Sequence, residues 1–216
     1  MSQDTASQMP LDDGPIVFVV DDDEAVRVAL SSLFRSTDVR VETFATAAEF
    51  LQRPDPQAPC CLVLDVRLQG SSGLDFQRQL LDANNNVPII FITGHGDIAM
   101  TVKAMKAGAV DFLVKPFRDQ DLLDAVSAAL RADGKRRESD KQDSEMNACY
   151  RTLTPREREV MAYAVKGLMN KQIASEICLS EVTVKIHRGH AMKKMQAKSF
   201  ADLVRMAEAL GIGVKH

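Results

Sequence analysis

Five short β-branched runs, each followed by a stretch with helical spacing, constrain this chain more than any other feature. The runs fall at 16–20, 39–43, 61–64, 87–92 and 110–114. The helical stretches fall at 23–36, 46–53, 73–83, 97–107 and 118–131. Strands alternating with helices of this length predict βαβ units, and βαβ units predict a parallel sheet. The expected fold over 15–131 is therefore an α/β, doubly wound, five-stranded parallel sheet with strand order 2-1-3-4-5. Residues 1–14 read as a polar tail outside it.

The remainder follows other rules. Residues 132–149 hold no β-branched residue and a dense mixture of both charges, which predicts a linker or an exposed helix. Beyond them no strand signal occurs. Thr154-Pro155-Arg156-Glu157 is a capping box with proline at the first helical position, opening a helix that stops at Gly167. Asn170 starts a second helix, Ser180 caps a third (181–195) and Ser199 caps a fourth ending near Gly211. A separate all-α four-helix domain over 150–212 is expected.

Charge divides along the same line. Residues 150–216 carry 12 Lys and Arg against 6 Asp and Glu, whereas the preceding 149 carry 15 against 24, for a net −3 overall. Such asymmetry points to different partners, nucleic acid for the basic part and a cation for the acidic part. The longest apolar runs, at 16–20 and 88–92, fall far short of the roughly 20 residues needed to span a membrane. The N-terminus lacks a basic start followed by an apolar core, so no secretory signal is expected. Cys60, Cys61, Cys149 and Cys178 form no CxxC pair, so a reducing cytoplasm is the expected location.

The ends of the strands carry the chemistry. Asp21-Asp22-Asp23 follows the first strand, Asp65 the third, Thr93 the fourth and Lys115-Pro116 the fifth. In an open α/β sheet, ligands bind beyond the carboxyl ends of the strands, where the strand order reverses. With order 2-1-3-4-5, Asp21, Asp22 and Asp65 converge there, facing Thr93 and Lys115. Converging carboxylates repel unless a cation joins them, and an all-oxygen ligand set favours Mg²⁺. A carboxylate beside Mg²⁺, a hydroxyl and a lysine suits a phosphoryl acceptor. Asp23 reads instead as the cap of the first helix. A dinucleotide-binding enzyme would need GxGxxG where the three aspartates stand. A haloacid-dehalogenase phosphatase would need a second Asp two residues after Asp65, where Arg67 sits.

Residues 16–131 resemble a response-regulator receiver domain. The resemblance rests on Val20-Asp21-Asp22, Leu64-Asp65, Ile92-Thr93-Gly94 and Lys115-Pro116-Phe117. Thr93-Gly94-His95-Gly96-Asp97, followed by Ala104-Met105-Lys106-Ala107-Gly108-Ala109, is similar to the FixJ-like subgroup. The resemblance implies Asp65 as phosphoacceptor, with Asp21, Asp22, Asp65 and the Arg67 backbone carbonyl holding Mg²⁺. Thr93 and Lys115 would read the phosphoryl group. Phe112 takes the place of the family's switch aromatic and lacks a phenolic hydroxyl, so a switch there works through packing. Where the family reads Asp-x-x-Met-Pro-x-x-x-Gly, this chain has Asp65-Val66-Arg67-Leu68-Gln69 before Gly73. Without the proline, the loop supplying the carbonyl is expected to be freer. Arg67 and His95 would flank the site.

In the helical domain, the second and third helices with the turn Cys178-Leu179-Ser180 read as a helix-turn-helix. Val184, Ala191 and Met195 fall on one stripe and would pack inward. Lys185, Arg188 and Gly189 share another face, where a glycine permits close approach to DNA. Lys171, Lys193, Lys194 and Lys198 add charge for phosphate contacts. Leu153–Val160 (LTPREREV), Gly167-Leu168, Asn170-Lys171, Ile173-Ala174, Thr183-Val184-Lys185 and His187 are together similar to the NarL/LuxR-type DNA-binding domain. That resemblance implies DNA contacts from Lys171, Thr183, Lys185, Arg188, Gly189 and Lys193. Gly189 departs from the family's lysine, and Arg188 is expected to substitute. His187 and His190 have no further ligands with which to form a metal site.

The two resemblances together imply a phosphorylation-activated transcriptional regulator, not an enzyme beyond assisting its own phosphorylation and dephosphorylation. Its expected partners are a sensor histidine kinase, promoter DNA, RNA polymerase and, when phosphorylated, a second copy docked around 97–107 and 110–114. The alternative is a regulator that binds DNA or a partner without phosphorylation, for which the departure at Leu68-Gln69 is the support.

Overall fold

Burial on both faces explains why three of the strands are unbroken apolar runs rather than alternating ones. In the computed structural model, which describes residues 14–37, 39–94 and 98–212, all residues of β1 (Ile16–Val20) are buried. In chain order α1 (Glu24–Arg35), β2 (Arg40–Phe44), α2 (Ala47–Gln52), β3 (Cys60–Asp65), β4 (Arg67–Leu68), β5 (Ser71–Ser72) and α3 (Gly73–Asp82) follow. Then come β6 (Ile89–Thr93), α4 (Ile98–Lys106), β7 (Asp111–Val114) and α5 (Asp119–Arg151). Strands β3 and β6 are buried along their whole length, as β1 is. The chain divides into two compact units, Met1–Arg137 and Glu138–His216, the division falling within α5. The predicted tail, apart from its last residue, and His95 lie outside the described residues.

The five long strands form one parallel sheet of order β2-β1-β3-β6-β7, the order expected from the sequence once the short β4 and β5 are set aside. Val17, Val19, Cys61, Val63, Ile90 and Ile92 face α1 and α5, meeting Leu30, Phe34, Leu122 and Val126. Phe18, Leu62, Leu64 and Phe91 face the other way, against Phe50, Phe76, Leu80 and Ala104. On that side Phe18, Phe50 and Phe76 meet edge to face, with centroids 5.5 and 5.8 Å apart. Each such pair adds about 0.5–1.5 kcal/mol beyond its buried area. Asp23 caps α1 as expected, accepting from the Ala25 N–H at 2.8 Å.

One loop differs from the sequence reading, and the charged stretch takes the helical one of its two expected forms. The loop after Asp65 is not freed by its missing proline. Strands β4 and β5 pair antiparallel (Arg67 with Ser72, Leu68 with Ser71), and Leu68 is buried. Gly70 turns the hairpin at φ +82°, and the Gly73 N–H donates to the Val66 carbonyl at 2.8 Å. A β-carbon on Gly73 would overlap the Asp65 carbonyl oxygen, so glycine is required there. A backbone ladder thus supplies the constraint that proline would otherwise give.

The charged stretch 132–149 is helical, forming the second half of α5. Pairs one turn apart support it, such as Gln142 Nε2 donating to Glu138 at 2.9 Å. Its beginning also belongs to the core of the first unit. Asp133 is buried, and its Oδ2 accepts the Cys60 N–H at 2.9 Å. Arg136 and Arg137 hold its two oxygens at 2.5 Å each. Burial pushes the Asp133 carboxyl up, but the Arg137, Cys60 and Arg136 hydrogen bonds outweigh it and the net shift is downward.

The second unit adds α6 (Pro155–Val165), α7 (Asn170–Glu176), α8 (Glu181–Lys194) and α9 (Phe200–Ala209). The capping box at Thr154 and Glu157 forms with both hydrogen bonds. Gly167 ends the first of these helices at φ +88°. Val160, Ala164, Ile173 and Val184 make one core cluster, and Met161, Ala191, Met195 and Leu203 another. Among the described residues no helix is long and apolar enough to cross a membrane.

Removing the Asp133 carboxylate leaves the Cys60 N–H without its partner and strands two guanidinium groups. Asp133→Ala is expected to lower the unfolding free energy by about 3 kcal/mol. Urea unfolding followed by far-UV circular dichroism would read that loss as an earlier transition.

Candidate functional site

The sheet register builds the first site. Val20 pairs with Leu64, Asp65 with Ile92 and Thr93 with Val114, so the four strand ends finish level with one another. Asp21 follows β1, Asp65 closes β3, Thr93 closes β6 and Lys115 follows β7. Lys115 Nζ donates to Asp21 Oδ2 at 3.0 Å and to Asp65 Oδ2 at 3.1 Å. The other oxygen of each carboxylate accepts a backbone N–H: Asp23 N to Asp21 Oδ1 at 2.9 Å, Arg67 N to Asp65 Oδ1 at 3.0 Å. Asp22 is half-buried, and one carboxylate oxygen from each of Asp21, Asp22 and Asp65 lies within 4.8 Å of the others. From α1, Arg27 Nη1 donates to the carbonyls of Asp21 and Asp22 at 2.7 and 3.0 Å, fixing the acidic turn.

The electrostatics are unbalanced. Burial pushes the Asp21 carboxyl above its usual range and the charge on Asp65 adds to the rise. Lys115 and the Asp23 N–H offset only part of it. Burial works against the Lys115 ammonium, but its bonds to Asp21 and Asp65 raise its pKa overall. Asp21 and Asp65 therefore share one lysine, with Asp22 close by, an all-oxygen donor set short of positive charge. These residues fit a hard divalent cation such as Mg²⁺.

Thr93 is fully buried at the end of β6. Phe112, half-buried on β7, packs on Phe91 with centroids 6.1 Å apart at 41°. The Arg67 side chain is exposed, while its backbone lies in the β4–β5 ladder.

The second candidate surface lies on α8. Lys171, Lys185, Gly189, Lys193 and Lys198 are exposed, and Val184, Ala191 and Met195 are buried as the stripe predicted. Arg188 does not share the outer face with Lys185 and Gly189. Its guanidinium lies 4.2 Å from the Phe200 ring centroid and donates to Asn170 Oδ1 at 3.2 Å. It is drawn inward because a cation over an aromatic face gains more than one in water. Thr183 pairs its hydroxyl with the capping Ser180 Oγ at 2.7 Å.

Lys194 is also engaged, donating to Glu157 Oε2 at 2.6 Å rather than standing clear for phosphate. Sequence reasoning missed Val182 and Ile186, which are 69% and 51% exposed. The signal was their position opposite Val184 and Ala191 at 3.6 residues per turn.

This fold and this cluster of acids at the strand ends define a response regulator with a DNA-binding helix-turn-helix domain. Residues 17–127 match the family model of the response regulator receiver domain, and 151–207 that of the bacterial regulatory proteins of the luxR family. The chain belongs to both families. It is 58% identical over 201 residues to nodulation protein W of Bradyrhizobium diazoefficiens, covering 93% of this chain and 88% of that protein. It is 48% identical over 204 residues to the response regulator protein TmoT of Ectopseudomonas mendocina, covering 94% and 93%. Among solved structures, the response regulator StyR superposes with a TM-score of 0.84 at 48% identity, covering 90% of this chain and 98% of that one.

Glu157 anchors α8 to α6, accepting from Thr154 N at 2.8 Å as well as from Lys194. Burial pushes its carboxyl up, but Lys194 and the Thr154 bonds outweigh it and bring it down to about 2. A lowered folded-state pKa gives stability that is present above about 4.5, the ordinary value, and lost as pH falls toward 2. The difference in unfolding free energy between the wild-type chain and Glu157→Gln is expected to be widest above about pH 4.5. It should close on acidification, which denaturant titrations across that range would check.

Proposed function

We propose that this chain is a phosphorylation-activated transcription regulator, with Asp65 as the phosphoacceptor. The observation that carries this reading is the Lys115 ammonium bridging Asp21 and Asp65 at 3.0 and 3.1 Å, in a chain that also holds a basic helix-turn-helix. A carboxylate oxygen of Asp65 attacks the phosphorus of a phosphohistidine on a sensor kinase. As the new P–O bond forms, the N–P bond breaks and its electron pair returns to the imidazole.

Lys115 then follows the negative charge onto the phosphoryl oxygens, and the Thr93 hydroxyl donates to one of them. Mg²⁺ held by Asp21, Asp22, Asp65 and the Arg67 carbonyl would neutralise those oxygens. The Arg27 clamp and the β4–β5 ladder keep the acidic turn and the Arg67 backbone in place for this.

Domain roles follow: 15–131 receives the phosphoryl group, 132–149 joins, and 150–212 binds promoter DNA to regulate RNA polymerase in the cytoplasm. A concave apolar surface beside Lys115, lined by Val26, Ala29, Leu33 and Phe117, suits the kinase. Ile98, Val102, Met105 and Val114 are exposed apolar residues on α4 and β7, and they suit a second copy. Movement of Thr93 toward the phosphoryl group is relayed to that face through the packing of Phe112 on Phe91. The β4–β5 ladder across the Leu68-Gln69 departure supports phosphorylation over a phosphorylation-independent regulator, because it holds the segment that would supply the Arg67 carbonyl.

With Mg²⁺ and acetyl phosphate, the wild-type chain is expected to take up one phosphate and shift toward dimer in sedimentation. Asp65→Asn should do neither. A folded wild-type chain that takes up no phosphate would overturn the proposal.

A further inference from the structure

The outer face of α8 carries an inference that rests on the DNA-binding reading and goes beyond it. Val184 and Ala191 are fully buried, and Met195 just after the helix is nearly so. The helical period places Val182, Ile186, Gly189 and Lys193 opposite that stripe, along the centre of the exposed face. Val182 and Ile186 stand one turn apart, 69% and 51% exposed. A β-carbon on Gly189 would meet nothing within 4 Å, so bare backbone lies beside them.

Single exposed apolar residues are ordinary, but two adjacent β-branched ones facing outward leave apolar surface for a partner to cover. Their side chains are already stiff at χ1, so little rotamer freedom is lost on contact. The partner is a polyanion, because Lys185 and Lys193 stand exposed on the same helix and Lys171 on the helix before it.

Two polar groups of α8 that could read base edges are engaged within the domain. Arg188 is spent on Phe200 and Asn170, and the Thr183 hydroxyl on Ser180. Near the helix N-terminus, the part of a recognition helix that meets base edges, the exposed charged side chains are Glu181 and Lys185, and Lys185 is the cation. The apolar feature of the major groove is the thymine 5-methyl group. Set against a G·C edge, Val182 and Ile186 would desolvate donors and acceptors without replacing their hydrogen bonds. We infer that α8 selects its DNA through thymine methyl groups contacted by Val182 and Ile186, with Lys185 as the polar contact beside them.

Deoxyuridine tests this, because it keeps every hydrogen-bonding group of thymidine and lacks the methyl. The full chain, treated with acetyl phosphate and Mg²⁺, would select duplexes from a pool with a random core. The recovered sequences would then be remade with deoxyuridine throughout, and both forms titrated against the wild-type chain and the V182A/I186A double variant. Both positions are exposed and alanine favours helix, so the variant should fold, which circular dichroism checks.

The wild-type chain is expected to bind the uracil form weaker by about fourfold per contacted methyl. The double variant should bind both forms alike. Equal binding of the two forms by the wild type overturns the inference while leaving DNA binding intact. So does a loss that persists undiminished in the double variant, since the methyl would then act through duplex shape. Self-association weakened by the double substitution, with DNA binding unchanged, would assign the face to a second copy and overturn it as well. Retention of no duplex above non-specific binding would overturn both the inference and the DNA-binding reading beneath it.

Discussion

The Lys115 ammonium between two buried carboxylates is the interaction on which the receiver site depends. Asp21 and Asp65 stand at the ends of neighbouring strands, where mutual repulsion would oppose the register that aligns β1 with β3. Lys115 comes from β7, and β6 lies between β7 and β3. Neighbouring strands are about 4.8 Å apart, so the ammonium must cross roughly 10 Å of sheet end to reach Asp65. Only a long, unbranched cation does this, and it has to pass over the end of β6. Thr93, small and fully buried, closes that strand. The residue types at four strand ends are thus set by one another: two acids, a short hydroxyl and a long cation.

The backbone around the site is held by means the side chains of the site do not supply. Arg27 ties the carbonyls of Asp21 and Asp22 to α1, and the β4–β5 ladder ties the segment after Asp65. Asp21 and Asp65 each keep one oxygen for Lys115 while the other accepts the backbone N–H two residues on, whereas Asp23 serves only as a cap for Ala25. Gly73 then lets α3 begin directly against the Asp65 carbonyl.

Much of this was legible in the sequence because it is periodic or local. Strand runs, the polar residue ending each of four strands, the Asp23 cap and the Thr154–Glu157 capping box all follow from spacing alone. What was not legible depends on distant partners. Asp133 sits in a charge-rich stretch with the composition of a linker, yet is buried through the Cys60 N–H 73 residues away. Arg188 and Lys194 belong by spacing to a basic helix, yet Phe200, Asn170 and Glu157 on other helices draw them in. The β4–β5 hairpin has two residues per strand, too few for any alternation to register. In each case the chain shows the residue but not the group it meets.

The buried acids of the two units separate into two kinds. Asp133 and Glu157 each accept a backbone N–H and are gripped by cationic side chains, and both carboxyls are held below their ordinary range. Each has its own cationic partners and a backbone donor, so these acids serve as anchors. Asp21 is as deeply buried and likewise accepts a backbone N–H, but its lysine is shared with Asp65, and its carboxyl is pushed up instead. Burial of similar depth thus produces opposite shifts, and the difference is how completely the charge is matched. A fold that supplies two arginines to Asp133 gives Asp21 and Asp65 one lysine between them where β1 and β3 end. The structural acids are matched from within, whereas the acids at the strand ends share a single cation, an imbalance that suits a cation-binding site.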